Sequence, residues 1–424
     1  METLQPISER RFSRSFLERR NMRTDELVLV EEEIINRMDL TQDLKEEEVC
    51  ELIDTEILRE GKRRHLELSS MTILRKNIYH AIRELGKLQE LLEDPEITEI
   101  MVNGTDPVFI EKGGRLLQIP VRFETEEKLC HVIWQIAAGC NRTVNEVRPI
   151  MDGRLKDGSR VNVVLPPVAL NGPVLTIRRF PEKPITMEQL IRFSSISREA
   201  AELLESLVKA GYNILVSGGT GSGKTTALNA LSAFIPPEER VITIEDSAEL
   251  QLQGLPNLVR LETRVASVEG CQEITIRDLI RTSLRMRPTR LIVGEVRGKE
   301  AIDMLQSVNV GHCGMTTIHA NSIRDVVSRL ETLVLMGMEI PIPAVRRQIS
   351  AGFDLMVHLG RLRDGTRRVL EIAEPLPFTE GEIQFRSLYR FREVAEREGK
   401  IIGELEKVGE LMQKEKLRAA GICV

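Results

Sequence analysis

Gly218-Gly219-Thr220-Gly221-Ser222-Gly223-Lys224-Thr225 follows the apolar run Ile214-Leu215-Val216 and leads into helix-favouring Thr226-Ala227-Leu228-Asn229-Ala230-Leu231. Strand, glycine loop and helix, in that order, form the context a phosphate-binding P-loop requires. Glycines let the backbone wrap closely, so that successive N–H groups point at phosphate oxygens. The expected cradle is Gly218, Gly219, Thr220, Gly221, Ser222, Gly223, Lys224 and Thr225, with Thr226 just inside the helix. Lys224 is placed to reach the β- and γ-phosphates and Thr225 to hold Mg2+. The helix N-terminus adds its positive dipole end. The stretch implies that a nucleoside triphosphate binds here.

Around this loop, from about Ile196 to Pro375, strands alternate with helices, which predicts a mostly parallel α/β sheet. The strands expected are Ile214–Ser217, Val241–Glu245, Leu291–Gly294, Met315–His319, Leu355–Leu359 and Val369–Ala373. Ligands of such sheets sit beyond the carboxyl ends of the strands. Polar residues stand there: Glu245-Asp246 with Glu249 one turn on, Glu295 after Gly294, and His319-Ala320-Asn321. Triphosphate hydrolysis needs a held cation, an oriented water and stabilised negative charge. Glu295 occupies the position of a Walker B acid, although Glu replaces the usual Asp. It suits Mg2+ binding through water, polarisation of the nucleophile, or simple capping of the next helix. Among Glu245, Asp246 and Glu249, one glutamate is expected to position the water, and the choice between them stays open. Asp246 suits either a metal site or a helix N-cap. His319 suits sensing the γ-phosphate, linking it to the next strand, or a structural role.

Upstream, residues 85–180 read as a compact α+β domain, with strands at Ile97–Val102, Val108–Glu111, Ser159–Leu165 and Val174–Arg179. A helix carries Leu129, Val132, Ile133, Ile136 and Ala137 on one face. Arg154, Arg160, Arg178 and Arg179 lie in this domain. An arginine brought from another domain or subunit can stabilise γ-phosphate charge, and surface salt bridging is the plainer alternative. Residues 181–195, with Pro181 and Pro184, read as a linker, 196–377 as the ATPase domain and 378–424 as a small appendage.

Residues 1–84 form a charged extension. Arg10, Arg11, Arg14, Arg19, Arg20 and Arg23 precede acidic runs at Glu31-Glu32-Glu33 and Glu46-Glu47-Glu48. Apolar Leu27, Val30, Ile34, Met38, Val49, Ile53 and Ile57 recur at helical spacing. The extension reads as a basic tail with solvated helices, or as a docking arm for acidic lipid headgroups or a partner. A net charge of −6 and 4% aromatic residues give no general pull towards nucleic acid. Six cysteines without zinc spacing or a disulfide framework fit a reducing compartment. No run approaches ~18 apolar residues, which predicts a cytosolic chain whose membrane role is peripheral.

These motifs together resemble the type II/IV secretion-system ATPases, most closely the CpaF-type branch that powers Flp/Tad pilus assembly. The matching stretches are ITEIMVNG at 97–104, DGSRVNVVLPPVA at 157–169, SGGTGSGKTTALNAL at 217–231 and ITIEDSAELQLQ at 242–253. They continue with LRMRPTRLIVGEVRGKEAIDMLQSVNVGH at 284–312 and GMTTIHANS at 314–322. The resemblance implies a RecA-like core that hydrolyses ATP with Mg2+. It implies a Walker A at Gly218–Thr225, an Asp box at Glu245, Asp246 and Glu249, and a Walker B ending in Glu295. A His box runs from Gly311-His312 through His319. The metal set it implies is Thr225, Asp246 and Glu295; the catalytic set is Lys224, Glu245, Glu249, Glu295 and His319. N-terminal-domain arginines that approach the nucleotide best match Arg160, Arg178 and Arg179.

Such proteins form homo-hexameric rings topped by a mobile N-terminal domain. The ring acts at the inner face of the cytoplasmic membrane on a polytopic platform protein. The four-cysteine zinc module of type II relatives is missing, so no structural metal is expected, and Cys313 has no ligand companions. Two other classes remain for comparison. A nucleic-acid translocase on the same core predicts ATPase stimulation by DNA. A nucleotide-switched regulator predicts little turnover, and the chain has no N/T-K-x-D guanine signature. Extension, retraction and export of another substrate are not distinguished.

Overall fold

The computed structural model describes residues 27, 30, 33–35, 37, 46–83, 85–155, 157–180, 184–264, 272–379 and 381–422. The six N-terminal arginines, Glu31, Glu32, Met38, Pro181, Cys271 and Cys423 lie outside the described residues. The chain divides into two compact units, Met1–Pro181 and Glu182–Val424.

In the first unit, α1 (Glu46–Arg64) and α2 (Leu68–Arg83) pack through Val49, Ile53, Ile57, Leu74 and Ile78, joined by Val30 and Ile34. The helical spacing of apolar residues thus builds a small core of its own. Glu60 is fully buried beside it, ion-paired to Arg37, Arg63 and Arg64, so part of the charge run is internal. A 3-10 turn and α3 (Gln89–Glu93) lead to β1 (Ile97–Asn103), β2 (Val108–Lys112), β3 (Arg115–Ile119) and α4 (Glu126–Gly139). Then come β4 (Ile150–Arg154), β5 (Arg160–Val164) and β6 (Val174–Arg178). The sheet is antiparallel throughout, in the order β3-β2-β1-β6-β5-β4. Thr125 caps α4 by accepting from the Lys128 N–H. Leu129, Ile133, Ile136 and Ala137 then pack on Ile100, Val102, Val161, Val163, Leu175 and Ile177.

The second unit begins with α5 (Met187–Arg192), inside the stretch expected to be a plain linker. Thr186 and Gln189 form a reciprocal capping box there, which two nearby prolines do not prevent. Next come α6 (Arg198–Lys209), β7 (Ile214–Gly218), α7 (Lys224–Ser232), β8 (Val241–Glu245), β9 (Leu258–Glu262) and α8 (Ile276–Ser283). They are followed by β10 (Arg290–Val293), α9 (Ala301–Asn309), β11 (Cys313–His319), α10 (Ile323–Gly337) and α11 (Ile342–Gly352). The unit ends with β12 (Leu355–Arg361), β13 (Arg367–Pro375), β14 (Phe385–Arg397), β15 (Lys400–Lys407) and α12 (Glu415–Ala419).

All nine strands form one sheet, β15-β14-β13-β12-β7-β11-β10-β8-β9, parallel from β12 to β9 and antiparallel from β12 to β15. The stretch 378–424 is therefore not an appendage. It supplies β14 and β15 to the same sheet, because Tyr389 and Ile372 pair across the β13–β14 ladder.

Helices cover both faces of the central parallel strands, which explains apolar runs such as Ile214–Val216 and Leu291–Val293. Ile214 and Val216 face Leu204, Leu207 and Leu228 on one side, while Leu215 joins Ile302, Leu305 and Val334 on the other. Buried Asn213 ties the centre together: its amide donates to Gly352 O (2.7 Å) and accepts from Gly314 N (2.8 Å). Among the described residues no helix is long and apolar enough to cross a membrane.

Candidate active site

β7 is buried along its whole length and delivers Gly218 to the rim between His319 of β11 and Leu359 of β12. A Cβ on Gly218 would stand 2.5 Å from Leu359 O and from Ser222 Oγ, so only glycine fits. Gly223, at φ +96°, is left-handed and starts α7. Ser222 Oγ braces the turn by donating to Gly219 O (2.9 Å). A Cβ at Gly219 or Gly221 would meet nothing within 4 Å, so the concave side of the loop is open. Loop and helix together present N–H groups and a dipole end to an anion.

Lys224 is buried, and its Nζ donates to Gly218 O (3.2 Å) and Gly219 O (3.0 Å) and lies 3.2 Å from His319 Nδ1. An ammonium beside two carbonyls is a cation that phosphate oxygens can take over. Thr225, in the first turn of α7, has no hydrogen-bond partner for its hydroxyl among the described residues, which leaves it available to a cation. Thr220 is exposed and Thr226 half-buried. Among the described residues no cluster of three or more His, Cys, Asp or Glu could hold a metal. A cation here would therefore draw on the oxygens of a bound phosphate as well.

The end of β11 meets this amine through His319, and Glu295 beyond β10 meets His319 in turn. His319 Nε2 lies 2.9 Å from Glu295 Oε1. That approach is out of line for a hydrogen bond, so Glu295 Oε1 is buried without one. The second oxygen, Oε2, accepts from Arg297 (2.6 Å), whose guanidinium reaches to 3.8 Å from Asp246. Desolvation holds the His319 pKa below its ordinary value; Glu295 opposes this, while Lys224 and Arg297 add to it. The lowered pKa favours the neutral ring, with Nδ1 accepting from Lys224 and the proton on Nε2.

Glu245 ends β8 with 3% of its surface exposed. Its Oε1 accepts from Glu249 N and Leu250 N (2.9 Å each), while Oε2 is buried without a partner. Burial pushes its pKa up to about 7, although the two backbone N–H groups oppose the rise. Gly294 sits against it, since a Cβ there would stand 2.9 Å from Glu245 Cγ. Glu249 is half-buried and Asp246 exposed.

The two capping alternatives fall away. No helix follows β8, so Asp246 is not an N-cap; the turn is organised by Glu245 instead. Glu295 does not cap α9 either, because Glu300 holds the N–H groups of Arg297 and Gly298 (2.7 Å each).

The upstream arginines separate by face. In the first unit Arg154 pairs with Arg160 and Arg160 with Arg178 across β4, β5 and β6, one cationic row ending at Glu99. Arg178 lies 3.6 Å from that glutamate. Arg179 is one residue further and points to the opposite side. It donates to the carbonyls of Asp94 and Ile97, so it holds the start of β1 rather than standing with the row. Sequence reasoning passed over Arg297, which stands two residues past Glu295. It also passed over His358, whose Nδ1 is 3.0 Å from Ser217 Oγ beneath the loop.

Sheet and glycine loop together define an α/β protein of the P-loop class. More narrowly, the chain belongs to the family described as "Type II/IV secretion system protein", whose model matches residues 82–368. A Mycobacterium tuberculosis protein provisionally named for conjugal transfer is 37% identical over 306 residues, 70% of this chain and 86% of that one. The type IV secretion system protein VirB11 of Brucella suis is 33% identical over 313 residues, 67% of this chain and 87% of its own length. Among solved structures, the pilus retraction motor PilT with bound ADP aligns with a TM-score of 0.51 at 20% identity. The match covers 70% of this chain and 83% of that one, a likeness of fold.

Proposed function

We propose that the chain is an ATP-hydrolysing motor of a type II/IV secretion or type IV pilus machine. We read its second unit as a RecA-like core and its branch as the CpaF type of Flp/Tad assembly. The observation that carries the reading is the convergence of Lys224, His319 and Glu295, in steps of 3.2 and 2.9 Å, over an open glycine loop.

In this reading the phosphates of ATP displace the Gly218 and Gly219 carbonyls from Lys224. Thr225, with Asp246 and Glu295 through water, would hold Mg2+, which would supply charge neutralisation at the phosphates. Glu295 has one oxygen pinned by Arg297 and the other without a hydrogen bond, so it orients the attacking water. Glu245 is committed to the N–H groups of Glu249 and Leu250, and it shapes the acidic turn that carries Glu249. His319 couples the two ends: when Lys224 turns to phosphate, Nδ1 loses its donor and the end of β11 is released to respond. Arg160 and Arg178, joined by Arg154, supply the cationic row that the first unit brings to a nucleotide in a homo-hexameric ring. The motion acts on a polytopic inner-membrane platform protein from a peripheral position in the cytoplasm, and no nucleic acid is involved.

Turnover of the full chain and of Lys224→Ala, with and without DNA, tests this. Loss of ATPase in the variant and indifference to DNA are expected. Unchanged turnover in Lys224→Ala would sink the site, and strong stimulation by DNA would point to a translocase. Co-purification from membranes should recover the platform protein.

A further inference from the structure

The hairpin of β12 and β13 carries arginines that belong to none of the sites above. β12 runs two residues beyond Leu359, the partner of Gly218, and β13 enters at Arg367. Antiparallel register sets Arg361 opposite Arg367, as it sets Leu359 opposite Val369. Alternate residues of a strand share a face. The two arginines therefore continue the row of Val357, Leu359 and Val369, which packs with Ala227 and Leu228 of α7.

Past the N-terminal end of α7 that row arrives beside the glycine loop. The Arg367 stem marks the spot: its Cδ lies 3.7 Å from where a Cβ of Gly223 would stand. Like charges directly opposite on neighbouring strands repel. Nevertheless both arginines are exposed, and among the described residues no carboxylate pairs with either. Their neighbours on the hairpin differ. Arg363 is ion-paired to Glu393 and Glu396, and Arg368 is buried with its guanidinium donating to the carbonyls of Ser194 and Ile401. The Arg367 fork stands at the edge of the anion cradle, while Arg361, opposite it, has its Nη2 3.9 Å from where a Cβ of Gly365 in the hairpin turn would stand; unneutralised guanidinium forks suit phosphate oxygens.

We infer that Arg361 and Arg367 form a second phosphate-contacting element, closing on the polyphosphate of the bound nucleotide from the β12–β13 side of the loop. The inference rests on reading Gly218–Thr225 as the phosphate loop. It adds two positive charges from the same unit, independent of Arg160 and Arg178.

Binding of a fluorescent ATP analogue to the full chain, and its displacement by inorganic pyrophosphate, tests the inference. Arg367→Ala should weaken both ligands about 10- to 100-fold, the range of a charge-assisted hydrogen bond. The Arg361→Ala/Arg367→Ala double variant should weaken them further and flatten the salt dependence of binding. Arg367→Lys should recover part of the loss, which a folding defect would not show selectively. Wild-type affinity in the double variant overturns the inference, and so does a loss confined to the ATP analogue with pyrophosphate unchanged. Lys224→Ala separates the two levels. If it binds as well as the wild type, the phosphate-loop reading fails. If it loses binding while the double variant keeps it, only the hairpin inference fails.

Discussion

Replacing Glu245 with Gln should change the pH dependence of folding in a calculable way. The carboxyl is almost fully buried at the end of β8, and its pKa rises from 4.5 to about 7. For an acid, that shift means the native state holds more protons than the unfolded chain between pH 4.5 and 7. The group's contribution to stability therefore falls as pH rises through that window and stays low above it. At 1.36 kcal/mol per tenfold change, the wild type loses roughly 2–3 kcal/mol from this group between pH 5 and pH 8.

Gln keeps an oxygen for the Glu249 and Leu250 N–H groups but does not titrate. Whatever fixed cost its amide carries is the same at both pH values and cancels from the difference. The assay is urea unfolding of both proteins at pH 5 and pH 8, followed by far-UV circular dichroism. Fluorescence of the only tryptophan, Trp134 of the first unit, identifies that unit's transition separately. Stability of the variant relative to the wild type should rise by roughly 2–3 kcal/mol from pH 5 to pH 8. A relative stability that stays constant across the two conditions refutes the claim that this carboxyl is desolvated.

Three further outcomes are expected. Glu295→Gln should keep ATP affinity near wild type and slow turnover about 100-fold or more if, as proposed, Glu295 orients the water; single-turnover kinetics with radiolabelled ATP would check it. Arg160→Ala should lower the turnover number while leaving the protein's elution volume unchanged, and full activity in the variant ends the proposed cross-domain role. Asn213→Ala leaves the Gly352 carbonyl and the Gly314 N–H without their buried partner. Its cost should be about 2–3 kcal/mol in urea unfolding of the second unit, and a change below about 0.5 kcal/mol contradicts its bracing role.

The parallel part of the sheet is legible from sequence because strands covered on both faces must be apolar throughout. Ile214–Val216 and Leu291–Val293 show this directly, and Ile242-Thr243-Ile244 does so with one buried threonine. β9 escapes because Leu258–Glu262 is half exposed and carries Arg260 and Glu262. β3 and β4 are edge strands, and β4 includes Asp152-Gly153, a pair that reads as a turn.

β14 and β15 extend past the cover of the helices. Their buried residues shrink to Leu388, Tyr389 and Ile401, and the remaining apolar residues are scattered among arginines and glutamates, which looks like surface. At the site, the acids and the histidine are visible as polar ends of apolar strands, but their contacts are not. The contact of Lys224 with His319 depends on β11 lying beside β7, a pairing between residues about a hundred positions apart that leaves no local trace. Arg297 is missed for a similar reason, since only the folded turn shows it gripping Glu295.

The strand order also sets a schedule for synthesis. Both neighbours of β7 come late: β11 ends at His319 and β12 at Arg361. At roughly 5–20 residues per second, Ile214-Leu215-Val216 spends on the order of ten to thirty seconds as an unpaired apolar strand while the ribosome makes its partners. The strand that carries the phosphate loop is thus an apolar segment of the nascent second unit that stays unpaired for long. Chains released before Arg361 should be captured by chaperones there, with Gly218–Thr225 still unformed.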